Sequence, residues 1–259
     1  MRRLLFALVN SVAAALTGLA AAADLSADQV RERLAAASAQ APADLSGKDL
    51  SDLDLSRLDF KRAKLVGTNL FGSRLVSSNL RGADLSGANL NGAWLMGTDF
   101  GDARLIGASL LSVVVLGGEV KTRPNFAGAD LSGARIIADF PGVDLSRARL
   151  GKANLGVDIK NQGMGQMRTD LSGAKLAGVD LTGADLNRSL LAFADLRGAN
   201  LSRARLFRAK LTGADLSGAD VSGADFTEAD LEGAIFKGAK GLDAAKGMEQ
   251  AANRDKAIF

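Results

Sequence analysis

The stretch Ala214–Gly223 reads ADLSGADVSG, a five-residue phrase said twice, with its large apolar residue at Leu216 and again at Val221. Taking that residue as the centre of each unit, the spacing holds unbroken from Leu171 to Phe236. An earlier block runs from Leu45 to Leu110, and between the two lie Phe126, Leu131 and Ile136, then Phe140, Leu145, Leu150 and Leu155. Of these thirty-five centres, 27 are Leu, six Phe, one Ile and one Val.

A period of five suits no straight element. Five helical steps turn the apolar position by about 140°, and five strand steps flip it to the other face. To keep every centre pointing one way, the chain must turn once per unit and coil around a common interior as a solenoid. The other positions agree. Two residues before the centre stands a small residue, as at Ala83, Ala88, Ala93, Ala199 and Ala204, suited to a narrow interior. One before it is usually polar; after it comes Ser or Thr and then often Gly, as in Ser86-Gly87, the chemistry of corners.

The units Ala83–Gly87, Ala88–Gly92 and Ala214–Gly218, of the form A(D/N)LSG, resemble the pentapeptide repeat family across residues 43–240. That resemblance implies an all-β solenoid, a right-handed quadrilateral β-helix in which four units complete a coil. Thirty-five units then make about nine coils, and a rod roughly 40 Å long at the ~4.8 Å strand spacing. Leu85, Leu90, Leu181, Leu216 and Phe226 are core residues on this reading, each buried centre contributing roughly 2 kcal/mol that backbone ordering mostly offsets.

Residues 1–23 are of another kind. Met1-Arg2-Arg3 is basic, Leu4–Leu19 is apolar apart from Asn10, Ser11 and Thr17, and Ala21-Ala22-Ala23 precedes Asp24. This is the pattern of a secretory signal peptide, the alternatives being an uncleaved anchor or a soluble helix. Export implies a periplasmic or secreted protein with no membrane attachment after cleavage. Loss of Arg2 and Arg3 takes 32 basic residues to 30 against 29 acidic ones, so a near-neutral chain gives no reason to expect nucleic acid.

Residues 24–42 read as a capping helix: Ser26 and Gln29 form a capping box, Leu25 staples onto Val30, and Pro42 ends the segment. The first coil carries Lys48, Leu53 and Leu58 at the normally small inner place and is read as widened beneath that helix. Two interruptions, near 117–125 and 156–170, are each 16 residues between centres; the first is expected to bulge at Thr122–Pro124 and the second to leave the wall as a loop. A third slip, Ile136 to Phe140, is one residue short. Residues 241–259 read as a C-terminal helix with Leu242, Ala245, Met248 and Ala252 on one face, either a cap or the docking helix of a homodimer, which the family resemblance also implies.

The composition excludes most catalysis. There is no His, Cys or Tyr, hence no thiol nucleophile, no disulfide and no imidazole base. The aspartates recur at one repeat position, which points to structure rather than to a catalytic pair. No enzyme activity, cofactor or metal is expected. Reading the residue before each centre at twenty-residue intervals, Asp44, Lys64, Asp84 and Arg104 alternate in sign, as do Asp185, Arg205 and Asp225, which argues against the polyanionic DNA mimicry of some family members. An acidic cluster, Asp215–Glu232, is the exception.

The expectation is therefore a non-catalytic scaffold or protein-interaction module in the periplasm, with an unidentified protein partner. Its alternatives are a DNA mimic binding a topoisomerase and a metal or small-ligand binder using the 156–170 loop, where Met164 and Met167 offer two thioethers for Cu(I). Candidate contact residues lie where the repeat breaks: Trp94 with Arg74, Arg123, Met164, Met167 and Arg168.

Overall fold

In the computed structural model the described residues are 23–115, 122–157 and 168–259. The residue before each centre forms a parallel bridge with its counterpart one coil on, Asp44 with Lys64, Lys64 with Asp84 and Asp84 with Arg104. Four such ladders run along the rod, beginning at Asp44, Asp49, Asp54 and Asp59, so four units make a coil and the chain is a four-sided β-helix. Every centre from Leu45 to Leu110 and from Leu171 to Phe236 is buried, Leu85, Leu90, Leu181, Leu216 and Phe226 among them.

The unit Ala83–Gly87 shows why the repeat has its composition. Its Ala83 amide donates to the Leu80 carbonyl (3.0 Å), closing the preceding corner; Asp84 donates back to Ala63 (3.0 Å); Leu85 and Gly87 donate forward to Arg104 (2.7 Å) and Ile106 (2.8 Å). The fifth amide, on Ser86, goes to Oδ1 of Asp84 (3.0 Å), which also accepts the Ser86 hydroxyl (2.6 Å). Four amides are thus met by backbone and one by a side chain, so no donor is left over. The Asp or Asn before the centre and the Ser or Thr after it are two halves of an Asx turn. Asn does the same work at Asn89, whose Oδ1 accepts the Asn91 amide at 3.1 Å.

Gly87 has φ 68°, and the equivalent corner residue is left-handed in nearly every unit, including side-chain-bearing ones such as Arg62, Asp102 and Phe193. That geometry is the third residue of a type II turn, which favours Gly. Where the slip from Ile136 to Phe140 deletes the corner residue, the chain stays extended: β2 (Arg135–Ile137) pairs in parallel with β1 (Ser109–Leu111), and these are the two strands longer than a single bridge among the described residues. Inner hydroxyls tie neighbouring coils together, Thr68 to the Leu45 carbonyl (2.9 Å) and Thr98 to that of Leu75 (2.7 Å).

Helix α1 (Ala27–Ala36) carries the Ser26–Gln29 capping box and buries Val30. Leu34, Leu53 and Leu58 are each partly buried and packed against the core. Asp24 also dresses the open edge: its Oδ2 accepts the Asp49 amide (2.8 Å) and its own amide donates to the Asp49 carbonyl (2.8 Å).

Three expectations need correction. The stretch 241–259 holds no α-helix. It makes one more coil in six-residue steps, with Lys246, Ala252 and Ile258 bridging Asp225, Asp230 and Ile235. Left-handed Gly241, Gly247 and Asn253 turn its corners, and two 3₁₀ turns, Met248–Gln250 and Arg254–Lys256, take up the extra residue. The apolar spacing that suggested a helix is that of a wider coil. Second, Thr122–Pro124 is no bulge: the Thr122 carbonyl accepts the Gly97 amide (2.7 Å) and Pro124 is buried at the inner position before Phe126. Third, residues 158–167 of the expected 156–170 loop lie outside the described residues, and its last residues are part of the wall. Thr169 is fully buried, its hydroxyl shared between the carbonyls of Ile136 (2.9 Å) and Leu155 (2.8 Å).

Candidate functional site

The charged walls are largely occupied with one another. Asp130 meets Arg149 at 2.8 Å, Asp185 meets Arg205 at 2.5 Å, and Asp144 meets Lys175 at 3.5 Å, each across one coil. The Asx turns act on titration as well. The Ser46 amide and hydroxyl hold the Asp44 carboxyl below the usual aspartate range, and Ser51, Ser56 and Ser222 do so for Asp49, Asp54 and Asp220. At Asp130 burial pushes the other way, but the Ser132 donors and Arg149 outweigh it. These carboxylates are ionised fasteners, unlike a general acid kept protonated at neutral pH. Among the described residues no cluster of three metal-ligating groups occurs, and no helix is long and apolar enough to cross a membrane.

Of the candidates, Arg74 and Trp94 are neighbours on the third ladder, with the guanidinium 4.8 Å from the ring centroid. The contact is a cation–π pair, yet Trp94 keeps 37% of its surface exposed, so stacking and accessibility coexist. Arg123 is exposed with its guanidinium lying over the left-handed corner at Gly142. Arg168 lies elsewhere, in an open cleft of about 480 Å³ with Arg188, Arg208, Lys210, Glu228 and Asp230. Met164 and Met167 fall outside the described residues, as does all but the last residue of the 1–23 segment.

Sequence reasoning missed Phe71 and Phe193. Phe71 replaces the Ser that usually follows a centre and is half exposed. Phe193 stands at a corner, left-handed at φ 57°, and is 71% exposed, the most of any large apolar side chain among the described residues. The signal was present in the corner pattern: a bulky aromatic where the repeat asks for Gly. At the far end, Phe259 stacks on the last regular centre, Phe236 (centroids 5.4 Å apart), and remains half exposed beside a shallow cleft of about 590 Å³ that includes Leu242, Met248 and Arg254.

The pentapeptide repeats family model matches eight copies within residues 43–110 and 167–240, more than half of the chain, and the chain belongs to the pentapeptide repeat family. Among solved structures it is similar to HetL, a pentapeptide repeat protein involved in heterocyst differentiation regulation from the cyanobacterium Nostoc sp. The two are 29% identical over 90% of this chain and 94% of that one, with a TM-score of 0.60. QnrB1, a plasmid-mediated fluoroquinolone resistance protein, matches at 19% identity over 73% and 87% of the two chains with a TM-score of 0.37. A pentapeptide repeat protein of the cyanobacterium Cyanothece is 27% identical over 47% and 90%, with a TM-score of 0.25. No curated protein matches the chain. Proteins of this family are generally non-enzymatic.

Proposed function

We propose that the protein is a rigid, non-catalytic interaction scaffold that works in the periplasm after removal of residues 1–23, its rod wound right-handed through about nine regular coils as the family resemblance implies. The observation that carries this reading is how the walls use their polar groups. The aspartates that dominate the surface accept backbone amides and pair with cations of the next coil, as Asp185 does with Asn187 and Arg205. What remains for recognition is the set of departures from the repeat: Arg74–Trp94, Phe71, Phe193 and the two ends. Ion pairs between coils also break any continuous negative stripe, which weighs against a topoisomerase-binding DNA mimic. A homodimer through the final coil, where Ile258 and Phe259 are exposed, belongs to the same proposal.

The test is photocrosslinking in living cells from a reactive amino acid placed at Trp94, with identification of what is captured. Capture of an envelope protein supports the scaffold reading. Capture of a cytosolic topoisomerase overturns both the localisation and the role.

A further inference from the structure

A large corner side chain in this rod is followed, one coil on, by a small residue, glycine in most columns and Ser77 after Arg57. The Arg62 stem lies over Gly82, Arg147 over Gly178, Lys152 over Gly183 and Arg203 over Gly223. The corner that carries Arg188 breaks the rule. Its successors are Arg208 and then Glu228, all three left-handed at φ 61°, 56° and 55°. Three large side chains in a column thus stand where glycine would be cheaper. Within the column Arg208 is held by Glu228 (Nε to Oε2, 2.6 Å), and beside it Lys210 by Asp230 (3.7 Å). Arg188 takes part in no ion pair among the described residues, yet it shares the 480 Å³ cleft with Arg168, Arg208 and Lys210. Glu228 and Asp230 line the same cleft but are already engaged by Arg208 and Lys210, so an incoming anion would meet Arg188.

The next corner on the same coil is Phe193, five residues further on. Two ring carbons lie 2.6 Å from where a Cβ on Gly213 would be, so the ring lies on the glycine and faces water. Between the two corners the ladder position, which carries Asp170 before it and Lys210 after it, is held by Leu190. One side of the rod thus presents, in a single pass of chain, an arginine without a carboxylate partner among the described residues, a leucine and an exposed phenylalanine.

We propose that this strip, from Arg188 across Leu190 to Phe193, docks an acidic segment of a partner protein that carries a large apolar side chain, the carboxylates meeting Arg188 within the arginine cleft and the apolar group covering Leu190 and Phe193. The proposal rests on the interaction-scaffold reading and names the chemistry of its partner. Charge complementarity selects the occupant: a basic or purely apolar segment would leave Arg188 desolvated without a counter-ion.

Arg188→Gly and Phe193→Gly both place glycine at a left-handed corner, so each variant is expected to keep or raise the melting temperature. Fluorescence anisotropy on the full chain would use a short labelled peptide of alternating glutamate and leucine, its lysine-for-glutamate counterpart and an all-glutamate peptide. The expected result is binding of the first alone, weakened about tenfold by each variant. Absence of binding, equal binding of the lysine peptide, or unchanged affinity in both variants overturns the strip. So does tight binding of all-glutamate that ignores Phe193→Gly, which would show a bare anion site. An envelope partner crosslinked equally well by wild type and by the double variant would overturn the strip while leaving the scaffold reading standing.

Discussion

Oδ1 of Asp84 accepts both the amide and the hydroxyl of Ser86, at 3.0 and 2.6 Å, and so supplies the one amide acceptor that the backbone of the coil does not. Replacing Asp84 by Asn should be nearly neutral, since Asn89 already serves the next unit. Asp84→Ala should cost about 1 kcal/mol, because the Ser86 amide loses its partner. Urea melts of the two variants distinguish a fastener from a surface charge: equal losses would contradict the fastener role.

The same turns set the pH response. Asp44, Asp49, Asp54 and Asp220 have folded-state values below the ordinary aspartate value of 3.8. The unfolded chain therefore takes up protons first as the solution is acidified. Their contribution is fully present above about pH 5 and is lost as pH falls through 4 and below. The melting temperature should be flat from pH 7 to 5 and fall steeply beneath pH 4; a decline that begins near pH 6 would point to other groups.

Leu216 is fully buried in the stack, and Leu216→Asp would place a charge there without a counter-ion. A loss of 4 kcal/mol or more, on the order of the largest single-site effects, is expected by thermal or chemical melting. Gly218→Ser is the mild control: nothing lies within 4 Å of its added Cβ, so only the left-handed backbone, at φ 69°, resists it. Ser77 and Ser112 already tolerate that geometry.

Gly213 and Phe193 should be coupled. Gly213→Ala meets both a left-handed φ of 64° and the phenyl ring, whereas in the Phe193→Gly background the steric part vanishes. A double-mutant cycle should return a coupling of about 1 kcal/mol. Strict additivity would mean the ring does not lie on the glycine.

Much of this fold was legible because a leucine every five residues admits few geometries, and the capping box at Ser26–Gln29 was as plain in the sequence as in helix α1. The final coil resembled a helix for a definite reason. Stepping by six, it brings Leu242, Ala245 and Met248 into the three-residue spacing that also suits a helix, and only the bridges of Lys246, Ala252 and Ile258 decide between them. The purpose of the aspartates was hidden too, because a side chain that bonds an amide two residues on leaves no periodic trace beyond the repeat itself. Phe193 stood in view, but a corner pattern is recognised by the glycines present and not by the place where one is missing.

In the proposed scaffold, carboxylates hold the rod together and recognition resides where the repeat departs from itself. The most direct measurement is partner capture by a variant with Asp215, Asp220, Asp225 and Asp230 all changed to Asn, crosslinked in cells beside the wild type. Asparagine keeps the amide acceptors and removes the negative charge, so the same captured partner is expected at similar yield. Loss of capture from a variant that still folds would show that the acidic wall itself is the recognised surface, and would contradict the proposal.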